Sequence, residues 1–151
     1  MLSGVDEQAV NWPTRNPGWA VRDVLAHVLA SDADNILLLE AASRLSTTPL
    51  HGGSQVPAIS LLSDKEHGQE MARWTDATLQ MFAQQLRERG DRCQALLDSL
   101  PDSAFEIPTA VHWRDGVKKL GDVLSDWRGH YPLHTEDVRL ALADGPARAS
   151  G

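Results

Sequence analysis

The sequence is poor in cysteine, in long apolar runs and in clustered positive charge, and each shortage excludes something. Its one cysteine, Cys93, cannot form an internal disulfide. A secreted domain of this size more often carries paired cysteines, so the expected compartment is reducing. No basic-then-apolar leader opens the chain; Met1–Asn11 holds Asp6 and Glu7 instead. The longest apolar-rich stretch, Ile36–Ala42, is interrupted by Glu40 and is far too short to span a bilayer. The expected location is therefore cytoplasmic, with no membrane partner. Lys and Arg together number 14 against 21 Asp and Glu, a formal net charge of −7. The basic residues are scattered, which argues against nucleic acid as a partner.

What remains is enough for one domain. The 151 residues are 42% apolar, so a core can form without a metal or a disulfide. Residues 1–19 hold Pro13 and Pro17 and read as an irregular lead-in, with at most a turn of helix at Val5–Val10. Val21, Val24, Leu25, Val28, Ile36 and Leu39 share one face at helical spacing, which predicts a helix over Ala20–Leu45. Thr47–Ser60, with two Gly and two Pro, reads as a loop. Ser63-Asp64-Lys65-Glu66 fits a capping box opening a short helix to Arg73. Thr75 or Asp76 is the expected cap of a long helix whose inward row is Leu79, Phe82, Leu86, Cys93, Leu97 and Leu100. Pro101–Asp115 is expected to be a loop with an extended piece near Phe105–Ile107. A last helix is expected over Gly116–Ala143, followed by a flexible tail at 145–151. The expected class is all-α, a bundle of antiparallel helices.

Six histidines are present. His51, His67 and His112 lie in or beside expected loops and read as solvated. His130 and His134 stand four residues apart, so on a helix they project from one face on consecutive turns. They also continue the apolar row Val123, Trp127, Val138, Ala141, which aims two imidazoles at the interior. An unpaired polar group is costly there. A metal satisfies both rings, since neutral imidazole is a common ligand. Two hydrogen-bonded boundary histidines satisfy the same pattern. His27, at the edge of the first helix's apolar face, completes a possible triad on two facing helices. Asp32 falls in the same apolar stripe, and a buried carboxylate must be paired or protonated. It is a candidate partner for the free N–H of a ligand histidine; the alternative is that the helix bends or that the side chain reaches a tryptophan N–H or a backbone end. Trp127 and Tyr131 are candidate pocket-lining residues. Cys93, in an apolar row, reads as an inert buried thiol.

Gly18-Trp19-Ala20-Val21-Arg22-Asp23-Val24-Leu25-Ala26-His27 resembles the WSVRDVLAHL segment of the DinB-like superfamily. Leu120–Leu124, Trp127 and His130-Tyr131-Pro132-Leu133-His134 resemble that family's closing HxxxH helix. The resemblance covers roughly Trp12–Leu142. It implies a DinB-like up-down four-helix bundle holding one divalent metal at His27, His130 and His134; three imidazoles and a water suit zinc, nickel, iron or copper, with zinc or nickel foremost. It further implies a low-molecular-weight thiol of the mycothiol or bacillithiol type and a small electrophile, joined in transfer or isomerisation. Mycothiol-dependent maleylpyruvate isomerases belong to this superfamily. The alternative is a non-catalytic, stress-related metal-binding bundle acting as a dimer, and a homodimer is expected on either reading. The sequence departs from the family in three places. The long helix usually found before the first segment is short or missing. Ala20 replaces a Ser or Thr cap, at about 1 kcal/mol if nothing compensates. Pro132 inside HxxxH is expected to kink the helix and disturb the histidine geometry.

Overall fold

A computed structural model describes residues 5–47, 59–60, 62–110 and 116–145. Four helices carry the fold: α1 (Val21–Thr47), α2 (Asp64–Ala72), α3 (Leu79–Ser99) and α4 (Leu120–Asp144). The class is all-α, as the periodicity predicts. Three short strands add a small sheet that the sequence pattern did not announce. Strand β1 (Ile59–Ser60) pairs parallel to β2 (Pro108–Ala110), and β2 pairs antiparallel to β3 (Val117–Lys119). Two or three residues per strand are too few to display alternation. β3 takes the residues expected to open the last helix, so α4 begins at Leu120. The extended piece expected at Phe105–Ile107 lies one strand later, because Asp102–Glu106 form a 3-10 turn.

The lead-in before α1 holds a 3-10 turn at Glu7–Asn11, with Asp6 accepting from the Gln8 N–H at 2.8 Å. The long helix that the resemblance places before α1 is not found among the described residues. Ala20 is compensated as an N-terminus: its N–H donates to the Asp23 carboxylate at 2.8 Å. The capping box of α2 is formed, with Ser63 and Glu66 each receiving the other's backbone N–H. Thr78, not Thr75 or Asp76, caps α3 through the Met81 N–H at 3.2 Å. α4 runs unbroken through Pro132 and ends at Gly145, whose φ of 60° suits glycine. The 47–60 loop is described only at its ends, and His51, His112, Trp113 and the 146–151 tail lie outside the described residues.

α1 is the central element, packed by α2, α3 and α4. Apolar residues form two clusters along it. One gathers Val21, Val24, Leu25 and Leu29 with Phe82, Val138 and Ala141. The other gathers Leu38, Leu39 and Ala42 with Leu100, Leu120, Val123 and Trp127. α1 and α4 thus run antiparallel, the start of one beside the end of the other. Between the clusters α1 buries Ser31, Asp32, Asp34 and Asn35. α4 faces that stretch with the segment from His130 to Asp137. The candidate site occupies this polar belt. α3 and α4 flank α1 without closing on each other, leaving a mainly apolar cavity of about 770 Å³. No helix among the described residues is long and apolar enough to cross a membrane.

Candidate metal centre

The three histidines singled out by helical phase come together. His27 of α1 and His130 and His134 of α4 offer ligand atoms all within 4.8 Å of one another. Their Nε2 atoms converge: His27 to His130 at 3.1 Å, and His134 to His130 at 3.0 Å. Pro132 does not part the pair on α4.

The outer nitrogens decide what the inner ones can do. His134 Nδ1 lies 3.1 Å from Asp137 Oδ2, one turn along the same helix. Donation to that carboxylate leaves Nε2 of His134 as a bare lone pair. His27 Nδ1 lies 3.2 Å from His67 Nε2. His130 Nδ1 is buried with no hydrogen-bond partner. His130 Nε2 faces two other ring nitrogens, and one nitrogen cannot satisfy both with a single proton or a single lone pair. A small cation at the meeting point resolves the conflict, so this donor set fits a divalent metal. Three neutral imidazoles suit zinc, nickel, iron or copper.

Electrostatics favours the neutral ring at His27 and at His130. Burial, and after it the neighbouring His130, His134 and His67 rings, pushes His27 down from 6.5 to about 3. Burial and the same crowding also lower His130. Asp137 is held below the usual carboxylate range: burial opposes this, but hydrogen bonds from Asn16, Arg15 and His134 outweigh it. Asn16 donates to Asp137 at 3.0 Å, so the lead-in helps to fix a ring on α4. Trp19 sets its indole against the His27 ring at 5.4 Å.

Two expectations change. His67 is not a solvated loop residue. It sits on α2, with its side chain 18% exposed, against His27 and the buried Asp34. Its place on a helix was in the sequence, since a helix opened by the Ser63 capping box carries His67 in its first turns; its inward turn was not. Asp32, the candidate partner for a ligand histidine, receives the Tyr131 hydroxyl instead. The positions beside the histidines are taken by Asp137 and, through His67, by Asp34. Both could have been found by spacing: Asp137 lies three residues beyond His134, and Asp34 lies seven beyond His27, on the same helical face.

Trp127 and Tyr131 both line the 770 Å³ cavity, which His134 also touches. A second cavity, about 630 Å³, opens on the other side and is lined by His27, His130, His67, Trp19, Met71 and Trp127. Cys93 lines the first cavity as a thiol; burial, and then Asp32, push it up to about 11.

Among solved structures, the chain is similar to the mycothiol-dependent maleylpyruvate isomerase and to a histidine-to-alanine mutant of that enzyme. Identity is 15% in each case, with TM-scores of 0.64 and 0.65. The likeness covers 95% of this chain and 52% of theirs, so the chain spans about half the length of those proteins. At that identity the likeness speaks for the fold. No curated protein matches the chain. Residues 1–139 match the family described as mycothiol maleylpyruvate isomerase N-terminal domain, a DinB-like family, and the chain belongs to it.

Proposed function

We propose that this domain binds one divalent metal ion, zinc or nickel, through Nε2 of His27, His130 and His134, and serves a reaction of a low-molecular-weight thiol with a small electrophile. The observation that carries the reading is the convergence of three ring nitrogens that no arrangement of protons satisfies. Three protein ligands leave a position open, as catalytic sites do. A metal bound there supplies Lewis acidity that lowers the pKa of a thiol or water and yields a nucleophile at neutral pH.

The chain's own residues do the rest. Asp137 holds the His134 ring, and Trp19 and Trp127 wall the site with indoles. The 630 Å³ cavity on the His27 and His130 side has room for a small electrophile. Cys93 is not the nucleophile, because its thiol stays protonated. Mycothiol is the thiol suggested by the family and by the structural relatives, and isomerisation or transfer is the corresponding reaction. The test is to load the protein with cobalt and add mycothiol. A thiolate-to-cobalt absorption band and thiol-dependent turnover of small electrophiles are expected. Metal-loaded protein that neither binds nor turns over mycothiol or a related cellular thiol contradicts the reading.

A further inference from the structure

His67 is the feature of the site that neither the sequence pattern nor the proposed ligand set uses. It reaches the belt from α2, a helix of nine residues. A short helix needs an anchor, and α2 has one in Glu70. That buried carboxylate receives Arg89 of α3 at 2.7 Å. Arg89 also donates to the Leu29 carbonyl of α1 at 2.6 Å and lies over the Trp74 ring. One guanidinium thereby ties α2 to both α1 and α3. It fixes where His67 stands, one turn before Glu70.

From that position His67 is clipped between two residues of α1. Its Nδ1 lies 3.1 Å from Asp34 Oδ2, and its Nε2 lies 3.2 Å from His27 Nδ1. The other Asp34 oxygen already accepts the Leu62 backbone N–H at 3.0 Å. A carboxylate used as acceptor on both oxygens requires the proton on Nδ1 of His67. In the neutral ring Nε2 of His67 is then a lone pair, and it faces Nδ1 of His27. The proton of neutral His27 must therefore sit on Nδ1. Its Nε2 is left bare where the other two histidines converge. Each tautomer follows from the one before it, starting from Asp34.

We propose that His67, held by Asp34, is the positioning residue that fixes the tautomer and ring orientation of His27 for metal binding. This rests on the metal reading given above. His67 is not a fourth ligand, because its Nε2 meets the Nδ1 edge of His27, while the triad meets at the Nε2 edge. The arm does for His27 what Asp137 does for His134, through one more imidazole. Partners of this kind typically change metal affinity by about 10- to 100-fold.

The test compares His67→Ala and His67→Gln with the wild type. A glutamine can still accept from His27 Nδ1–H with its carbonyl and donate to Asp34 with its amide. Nitrogen-15 NMR of the metal-free protein reads the His27 tautomer directly. The expected result is Nδ1–H in the wild type and in His67→Gln, and a mixed or Nε2–H form in His67→Ala. Metal titration of His67→Ala should keep one metal per chain with affinity about 10- to 100-fold lower, and His67→Gln should recover most of it. Two results overturn the proposal: an unchanged His27 tautomer and unchanged affinity in His67→Ala, or loss of stoichiometric metal in both variants, which would make His67 a ligand. A wild type that takes up no metal overturns the proposed function instead, while the tautomer measurement still decides the role of His67.

Discussion

Two groups of buried polar side chains lie side by side in the belt between α1 and α4, and they are finished differently. In the first, Tyr131 donates its hydroxyl to Asp32 and accepts from Asn35 at 2.6 Å. Burial, and then Asp32, keep that hydroxyl protonated far above its ordinary range. The hydroxyl is used both as donor and as acceptor, so it is closed within the group, although Asn35 Oδ1 stays buried without a partner. In the second, His27, His130 and His134 have their outer nitrogens largely assigned and their inner nitrogens facing one another. Burial and shifted acidity are common to both groups and do not separate them. What separates them is how the facing atoms match: donors meet acceptors at the Tyr131 hydroxyl, whereas ring nitrogens with too few protons between them meet at the histidines. A closed network holds helices together; an open convergence of lone pairs invites a cation.

The largest expected effect follows from filling the open group. Metal at a hundred times its dissociation constant should stabilise the protein by about 2.7 kcal/mol. For a chain of this size that is a rise in Tm of roughly 5–10 °C. The rise should vanish in His134→Ala and persist in Tyr131→Phe, measured by thermal denaturation with and without zinc.

Next is the holder of His134. Asp137→Asn should weaken metal binding by about 10- to 100-fold without abolishing it, as read by competition with a chelator. An unchanged affinity would mean that the ring is held by packing alone.

The closed group has a smaller, purely structural effect. Tyr131→Phe removes the hydroxyl donor from the buried Asp32, at about 1–3 kcal/mol of stability. Denaturant unfolding should show that loss, while metal content stays unchanged.

Acid should act on the two groups with opposite signs. Unfolded His27 takes a proton near 6.5, whereas the folded ring does so only at about 3. The unfolded chain therefore binds more protons in that window, and metal-free protein should lose stability as pH falls through it. After allowance for solvent screening the loss is about 1–2 kcal/mol. Asp32 is raised by burial, with the Tyr131 hydrogen bond and then Arg89 opposing. Its contribution favours the fold in acid and fades as pH rises through the raised value. Denaturant midpoints of metal-free wild type and His27→Ala across this range should show the acid loss shrinking in the variant.

The smallest effect expected is that of Cys93→Ala. With its thiol pushed up to about 11, its removal should leave thiol-dependent turnover within about twofold.

The helices were legible because their signals are local. The capping box at Ser63, the apolar rows of α1 and α4 and the i, i+4 spacing of His130 and His134 are all read within a few turns. The small sheet was not legible, because strands of two or three residues carry no period and pair across long stretches of chain. The role of His67 was hidden for a related reason. Its helix was foreseen, but its inward placement depends on Arg89 and Glu70 binding across helices, which no spacing records. Asp32 was read correctly as buried and was offered a histidine N–H, a tryptophan N–H or a backbone end; the hydroxyl of Tyr131, the residue after His130, was not among them.

If the His27, His130 and His134 nitrogens form a metal site and the adjacent Tyr131 network does not, the two groups part in their metal content. Elemental analysis of purified protein, wild type beside His130→Ala and Tyr131→Phe, tests it most directly. One zinc or nickel per chain is expected in the wild type and in Tyr131→Phe, and none in His130→Ala. A well-folded wild type that holds no metal, even after reconstitution, would contradict it.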